Sequence, residues 1–313
     1  MKISITLRHF LYLSAAFIGI AAAIVFGISY YALKKLTYAP RDYVIYNSSM
    51  SHITREIRTE LLNTPGTGEV KFTTADGLTL TGIFIQRPQP KANLIVCHGY
   101  KGAKEFMYPY MELFPEWNVL MFDFRAHGQS EGYVTTIGCL EYRDVIAAAH
   151  YVRNQTSSKL PLIILGLSMG GAASIRAAEI EPTLCDALII DSSYARLEST
   201  VRRIFCSKAN LPHYPFFPVI RAMFQYIAGC NLKDMNPIES VMSVQQPILF
   251  IHACNDTYIP PKNSVALYAR ARNQKSQLWI APHCRHVRLH SKHAMLYRIK
   301  IIDFIKQVVP TAV

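Results

Sequence analysis

The 313-residue chain lacks the cysteine and histidine spacings that mark common metal sites. Its seven cysteines are scattered, no two of them form a zinc-type pair, and no His-Glu-x-x-His segment is present. Several cysteines stand in or beside apolar runs, where cysteine usually packs as a small hydrophobe. An odd, dispersed set also implies no disulfide framework and slightly favours a reducing compartment.

Acidic residues are in deficit. Lysine and arginine number 33 against 21 aspartates and glutamates, which gives a formal net charge of +12. The basic residues are dispersed and accompany no recognised nucleic-acid motif, so we expect no nucleic-acid partner. A basic face against anionic lipid and ordinary solvated charge are the two explanations that remain open.

One long uncharged run stands near the N-terminus. Phe10 to Leu33 is mostly apolar, is flanked by basic residues on both sides, and is long enough to span a bilayer. A cleaved signal peptide would have a shorter apolar region and a small-x-small site, for which Tyr30-Tyr31-Ala32 is too bulky. We therefore expect an uncleaved single-pass membrane anchor over residues 1–35. The basic residues on its two sides differ too little in number to choose an orientation.

A linker and one large domain are predicted after this anchor. Residues 36–68 are polar and mixed, with a helix expected around Ser51 to Leu62, and the folded domain spans residues 69–313. Asp76-Gly77 between two apolar segments predicts an antiparallel hairpin that opens the sheet.

The domain then alternates strand-like and helix-like segments. Short apolar runs without polar alternation indicate parallel strands that are covered on both faces. These runs are Asn93 to Cys97, Val119 to Phe124, Leu162 to Leu165, Ala187 to Ile190, Ile248 to Ile251 and Leu278 to Ile280. Helical segments between them are Cys139 to Arg153, Met169 to Glu179, Lys262 to Arg272 and Ala294 to Val309. The predicted fold is α/β, a doubly wound and mostly parallel sheet.

Residues 194–244 interrupt this alternation. The segment is rich in aromatic residues and proline and is too long for a simple crossover, so we predict a short helical lid inserted over the site. A lid excludes water and lines a pocket for the apolar part of a substrate. The alternative for any single aromatic residue is that it only packs the lid onto the domain.

The strongest functional signal follows the apolar run Leu162 to Leu165. There Gly166-Leu167-Ser168-Met169-Gly170 leads at once into a small-residue helix, which predicts a strand, a sharp turn and a helix. Such a turn exposes Ser168 at the carboxyl end of a strand as a nucleophile. A glycine-rich turn with a merely solvated serine is the alternative.

A serine nucleophile needs a base, and the base needs a carboxylate that orients it. Asp256 and His286 lie in the loops after the last two strand-like runs, in the order serine, acid, histidine. Asp191, at the end of Ala187 to Ile190, is the rival acid. Its alternative role is to cap the amides of Ser192 or Ser193.

The loop of His286 is crowded with imidazoles. His283 sits close to the strand end, and His290 and His293 are expected on the final helix, so His286 is the favoured base. A metal cluster made from Cys284, His286, His290 and His293 is a weaker alternative without a carboxylate partner.

Two backbone amides are expected to stabilise the oxyanion. The turn of the nucleophile supplies the Met169 amide, and the loop His98-Gly99-Tyr100-Lys101-Gly102 supplies the Tyr100 amide. We expect a structural hydrogen-bonding role for His98.

Together these residues resemble the α/β-hydrolase superfamily. The likeness is carried by His98-Gly99, by Asp123 to Gly132, by Gly166 to Gly170, and by Asp256 and His286, and it covers roughly Glu69 to Val309. The chain looks like the membrane-anchored serine hydrolases with a short lid, related to the prolyl-aminopeptidase-like and acyl-thioesterase-like branches. The resemblance implies that Asp123, Arg125, His127 and Ser130 support the site from below.

The sequence thus predicts a serine hydrolase that cleaves carboxylic esters or thioesters through an acyl-enzyme. The expected partners are a small-molecule acyl substrate and a membrane, no metal or organic cofactor is expected, and the oligomeric state is left open. The anchor and the aromatic lid favour lipid-derived substrates. A serine peptidase or amidase, an acyltransferase, and a non-catalytic membrane-tethered binding protein are the alternatives.

Overall fold

A computed structural model describes residues 5–38 and 48–313. The strands are β1 (Thr67–Thr73), β2 (Thr79–Ile85), β3 (Asn93–Cys97), β4 (Asn118–Phe122), β5 (Leu162–Leu167), β6 (Ala187–Asp191), β7 (Ile248–Ala253) and β8 (Gln277–Ala281). They form one sheet in the order β1-β2-β4-β3-β5-β6-β7-β8. Strand β2 runs antiparallel to β1 and β4, and every other pairing is parallel. The predicted α/β fold is confirmed.

Helices precede the sheet and connect most of its strands. In chain order they are α1 (Ile5–Thr37), α2 (Ser48–Asn63), α3 (Tyr108–Leu113), α4 (Tyr142–Gln155), α5 (Met169–Ile180), α6 (Leu197–Ala209), α7 (Phe216–Ala228), α8 (Pro237–Ser240), α9 (Lys262–Tyr268), α10 (Leu289–Lys292) and α11 (Ala294–Val308). A short 3₁₀ helix, Lys104–Met107, precedes α3. No helix was predicted there, although the parallel pair β3 and β4 requires a crossover between them.

The central strands are buried on both faces, as the uninterrupted apolar runs predict. Alternate residues of one strand enter opposite cores, because side chains in a strand point to opposite faces in turn. In β3, Ile95 and Cys97 belong to one hydrophobic cluster, and Leu94 and Val96 belong to the other. The sheet therefore separates two apolar layers.

The predicted hairpin joins β1 and β2, with Gly77 at φ +87° in its turn. Just before it, α2 occupies about half of the segment interpreted as a linker. Leu61 of α2 is 2% exposed and belongs to the second hydrophobic cluster. Residues 1–4 and 39–47, which belong to the predicted anchor and linker, lie outside the described residues.

The segment 194–244 is helical and contains α6, α7 and α8. Phe217, Ile220 and Phe224 of α7 are buried in the first hydrophobic cluster. The inserted segment is therefore packed onto the domain through its aromatic and aliphatic side chains.

Helix α1 has two parts with different surroundings. Its stretch Arg8–Thr37 is apolar and long enough to cross a membrane, and side chains such as Phe17 and Ile18 are exposed. Toward its end Ser29, Leu33 and Thr37 are completely buried. Their four-residue spacing forms one stripe of the helix, which packs on the domain and on α7. This docking was not predicted from the sequence.

Candidate active site

Ser168 lies in the sharp turn between β5 and α5. Its backbone has φ +53° and ψ −111°, a conformation that residues other than glycine rarely adopt. A Cβ at Gly166 would lie 2.5 Å from the Cα of Gly171, and one at Gly170 would lie 2.3 Å from the carbonyl oxygen of Cys97. The two glycines are therefore required for the close approach of strand and helix that carries this strained serine.

His286 reaches Ser168 from the loop after β8. Its Nε2 lies 3.1 Å from the Ser168 hydroxyl, and its Nδ1 lies 2.5 Å from Oδ2 of Asp256. Because a carboxylate only accepts, Nδ1 carries the proton, and the lone pair of Nε2 faces the serine hydroxyl. The structure brings these three side chains, separated by many residues in sequence, into one hydrogen-bonded line.

Asp256 is held by its own loop. Its Oδ1 accepts hydrogen bonds from the amides of Tyr258 and Ile259, at 2.9 and 2.8 Å. Burial raises the pKa of Asp256, but hydrogen bonds from His252 and His286 and from the Ile259 amide outweigh it and lower the pKa to about 2. The carboxylate therefore stays ionised near neutrality.

His252 supports Asp256 and was missed in the sequence. Its Nε2 lies 3.3 Å from Oδ2 of Asp256 and 2.7 Å from the carbonyl oxygen of Ile259, so this nitrogen is the donor. Nδ1 then accepts from the Ser264 hydroxyl, 2.6 Å away. The position of His252 at the end of an apolar strand was the signal in the sequence that could have indicated this supporting role.

Asp191, the rival acid, is completely buried and makes different contacts. Its Oδ1 accepts from the Ser192 hydroxyl at 2.8 Å, and its Oδ2 accepts from the Tyr297 hydroxyl at 3.1 Å. Burial raises the pKa of Asp191 in spite of these hydrogen bonds. Asp256 is thus the carboxylate in contact with His286.

The other histidines of the last loop point to other environments. His283 is exposed with φ +55°, and His290 lies on the short helix α10 with its ring 5.0 Å from that of Tyr110. His293 occupies the N-cap of α11, so neither His290 nor His293 lies within the final helix as expected. No group of residues able to hold a metal ion occurs in the described ranges.

The loop after β3 lies against Ser168. A Cβ at Gly99 would lie 3.5 Å from the Cβ of Ser168, and the next residue, Tyr100, lines the same cavity as Ser168. His98 Nε2 accepts from the Phe124 amide at 3.1 Å, and Nδ1 donates to the carbonyl oxygen of Gly99 at 2.7 Å. Both nitrogens of His98 are therefore engaged in holding the loop.

A buried polar network lies under this loop, in the segment Asp123 to Ser130. Asp123 accepts from the backbone amide and the ammonium of Lys104, at 2.9 and 2.7 Å. Ser130 donates to the carbonyl oxygen of Asp123, and His127 Nε2 accepts from the Lys101 amide at 3.3 Å. Arg125 pairs with Asp144 and Asp76. Burial of the Lys104 ammonium was not expected from the sequence.

A cavity of about 460 Å³ opens beside Ser168. Its walls are mostly apolar and come from three places: the core of the domain, the lid helices α6 and α7, and the last turns of α1. The α1 residues are Ile28, Tyr31, Ala32, Lys35 and Leu36, and the α6 residues are Leu197, Thr200, Val201, Ile204 and Phe205. No carboxylate side chain is among the described residues that line it. The volume is typical of small-molecule sites.

Comparisons with known proteins agree with this architecture. The family model described as "Serine aminopeptidase, S33" matches residues 88–217. Protein YfhR of Salmonella typhi is 31% identical over 265 residues, which cover 78% of this chain and 83% of YfhR. The α/β-hydrolase domain-containing protein WAV2 of Arabidopsis thaliana is 24% identical, with 85% of each chain covered.

Among solved structures, the esterase Pf2001 of Pyrococcus furiosus superimposes with a TM-score of 0.64. It is 25% identical, and the superposition covers 77% of this chain and 92% of the esterase. The sheet order, the turn of Ser168 and these relatives together define an α/β-hydrolase. The chain belongs to the α/β-hydrolase superfamily.

Proposed function

We propose that this protein is a serine hydrolase that cleaves carboxylic esters or thioesters through an acyl-enzyme. The observation that carries the proposal is the hydrogen-bonded line from Asp256 through His286 to Ser168. A base within hydrogen-bond reach of a strained and partly accessible hydroxyl is the arrangement that nucleophilic acyl transfer requires.

In the first half of the reaction, the Ser168 oxygen attacks the acyl carbon and His286 Nε2 takes the hydroxyl proton. Asp256 stabilises the imidazolium and fixes its tautomer. The tetrahedral intermediate expels the alcohol or thiol, which receives its proton from His286. In the second half, His286 deprotonates a water molecule that attacks the acyl carbon. The resulting tetrahedral intermediate breaks its bond to the Ser168 oxygen, which regains a proton from His286, and releases the carboxylic acid.

We assign the oxyanion to the backbone amides of Met169 and Tyr100. Met169 begins α5, where unpaired helical amides and the helix dipole favour negative charge. Tyr100 adjoins Gly99, which packs against the Ser168 side chain. Two preorganised donors of this kind contribute about 3 kcal/mol each to stabilisation of the transition state.

The cavity favours an ester or thioester substrate over a peptide with a free amino terminus. An aminopeptidase recognises a cationic amine, and a carboxylate is the natural partner for it. The described lining offers two cationic residues, Lys35 and Lys101, and otherwise mainly apolar side chains. Similarity to the esterase Pf2001 supports the same choice.

We further propose that α1 anchors the protein in a membrane, with residues 69–313 as the hydrolase domain and 194–244 as its lid. The exposed apolar side chains of the first part of α1 support an anchor, since water would solvate them poorly. Burial of Leu33 and Thr37 against the domain favours a helix that is retained in the mature protein.

A fluorophosphonate probe tests the proposed mechanism in the full-length protein. We expect covalent labelling at Ser168, found by peptide mass spectrometry. In Ser168→Ala, we expect loss of labelling and a fall in p-nitrophenyl butyrate hydrolysis of about 10⁴-fold or more. Ser174→Ala is the matched control, because Ser174 lies on α5 with its hydroxyl bonded to the Gly170 carbonyl. A folded wild type that is neither labelled nor active would refute the proposal.

A further inference from the structure

We propose that the last turns of α1 form a wall of the acyl-binding site, and that the acyl chain which fills this site comes from an ester resident in the membrane that α1 crosses. The inference rests on the proposed hydrolase function and adds its substrate class. We name the segment of α1 concerned, residues 28–36, the anchor wall.

The anchor wall faces the catalytic serine across one cavity. Ile28, Ala32 and Leu36 line the same 460 Å³ space as Ser168 and Met169. Their spacing of four residues places them on one stripe of the helix. Apolar side chains of α6 line the same space, so an alkyl chain that fills it would contact both α1 and the lid.

The anchor wall is fixed to the domain rather than resting loosely on it. The Tyr100 hydroxyl donates to the carbonyl oxygen of Leu36 at 2.5 Å, and the Thr135 amide donates to that of Thr37 at 3.0 Å. These bonds satisfy carbonyls that the end of a helix leaves without intrahelical partners. Leu33 is completely buried in the cluster that contains Val201 and Phe224 of the lid.

The Tyr100 contact joins the membrane helix to the catalytic machinery. Tyr100 is the residue whose backbone amide we assign to the oxyanion, and its side chain is held by α1. The cavity wall and the oxyanion loop are therefore positioned by the same helix.

The length of α1 sets the depth of the cavity relative to the bilayer. Arg8 to Ile28 comprises 21 residues, which extend about 31 Å at a rise of about 1.5 Å per residue, close to the hydrocarbon thickness of about 30 Å. The anchor wall then begins where the hydrocarbon layer ends. Tyr30 and Tyr31 fall at the headgroup level, where tyrosine is favoured.

This placement favours a membrane ester over a soluble one. A short soluble acyl group would leave much of the apolar wall in contact with water, whereas a long chain buries it at about 25 cal/mol per Å². An ester already in the bilayer reaches a cavity at the membrane surface without transferring its chain through water. The substrate class is thus an ester or thioester of a long-chain acyl group held in the membrane.

The first test compares acyl chain lengths in wild type and Ala32→Trp. The full-length protein is placed in phosphatidylcholine vesicles and is given p-nitrophenyl palmitate within the bilayer or p-nitrophenyl butyrate in solution. The tryptophan fills the cavity from the anchor wall, so we expect the palmitate-to-butyrate ratio of kcat/KM to fall by about tenfold or more. Ala22→Trp, on the exposed part of the same helix, should keep the wild-type ratio.

A second matched pair covers the case in which Ala32→Trp fails to fold. Tyr31 lines the cavity and its neighbour Tyr30 does not. Tyr31→Ala should lower the same ratio, and Tyr30→Ala should leave it at the wild-type value. An active protein whose ratio is unchanged in both Ala32→Trp and Tyr31→Ala would overturn the inference while the hydrolase proposal stands.

A crosslinking experiment reads out the same contact without turnover. An alkyl fluorophosphonate with a palmitoyl-length chain and a chain-borne diazirine is attached to Ser168 and then irradiated. We expect crosslinked peptides from residues 28–36 and from α6. Crosslinks confined to other parts of the chain would disprove the anchor wall, whereas absence of labelling at Ser168 would reject the proposed function and the inference with it.

Discussion

The floor and the roof of the cavity are built on different physical principles. The floor consists of the strand-end loops that carry Ser168, Asp256, His286 and His98, and it is held by hydrogen bonds between buried polar groups. The roof consists of the end of α1 together with α6 and α7, and it is held mainly by apolar packing. Hydrogen bonds fix directions, as proton transfer requires, whereas apolar packing adapts to the shape of a chain.

From this difference we expect the floor to carry out the chemistry and the roof to select the acyl chain. Substitutions in the floor should change turnover for every substrate or the stability of the folded domain. Substitutions in the roof should change which acyl chain is preferred. Variants of the anchor wall test the roof, variants of Asp256 and His98 test the floor, and a variant of Tyr100 tests the contact between the two.

The largest effect is expected for Asp256, the proposed triad acid. Asp256→Asn should lower kcat by about 10⁴-fold, because an amide cannot hold the catalytic tautomer of His286. The loss should be equal for butyrate and palmitate esters, measured by steady-state kinetics. The matched control is Asp191→Asn, which removes a buried carboxylate of the neighbouring strand end. A larger loss in the control would transfer the role of acid to Asp191.

A smaller effect is expected from the buried histidine of the floor. Burial, with His127 nearby, lowers the pKa of His98 from its ordinary value of 6.5 to about 3. In the unfolded chain His98 therefore binds a proton below about pH 6.5, whereas in the folded chain it binds one only below about pH 3. The free energy of unfolding falls as the pH is lowered through this window. From about pH 7.5 to about pH 5 the His98 contribution falls by about 2 kcal/mol.

Urea unfolding of wild type and His98→Gln measures this contribution. The free energy of unfolding of the variant should decrease less steeply over the same pH interval, because it lacks the group that titrates. Equal pH dependence in the two proteins would contradict the assignment of a neutral, structural His98.

The smallest effect concerns the bond between floor and roof. Tyr100→Phe removes the hydroxyl that donates to Leu36, and a hydrogen bond of this kind contributes about 0.5 to 1.5 kcal/mol. We expect kcat/KM for palmitate to fall by about two- to tenfold, with Tyr133→Phe, an exposed phenol, at the wild-type value. Wild-type kinetics in Tyr100→Phe would show that the hydrogen bond to α1 does not help to position the oxyanion loop.

Much of the floor could be predicted because its signals are local. Gly166 and Gly170 flank Ser168 two positions away on each side, and a turn that forbids a Cβ leaves a short, legible pattern. Asp256 and His286 each follow an apolar strand, and the carboxyl ends of parallel strands meet at one edge of the sheet. The pairing of Asp256 rather than Asp191 with His286 depended on side-chain directions that no local pattern contains.

The supporting residues were harder to find. Lys104 and His252 are buried polar groups whose partners lie in other loops, so their neighbours in sequence give no sign of burial. His290 and His293 shared a crowded segment with His286. The turn at Val287, with φ +48°, and the short helix α10 direct the side chains of His290 and His293 away from that of His286.

Local patterns in the chain were enough to define the wound sheet, the turn of Ser168, an inserted segment over 194–244 and an apolar helix of bilayer length, because periodicity, glycine placement and hydropathy act over short stretches. The docking of the end of α1 beside Ser168 emerged only when the chain was folded. That contact joins residues more than one hundred positions apart through apolar packing, which is nondirectional and leaves no pattern in either partner.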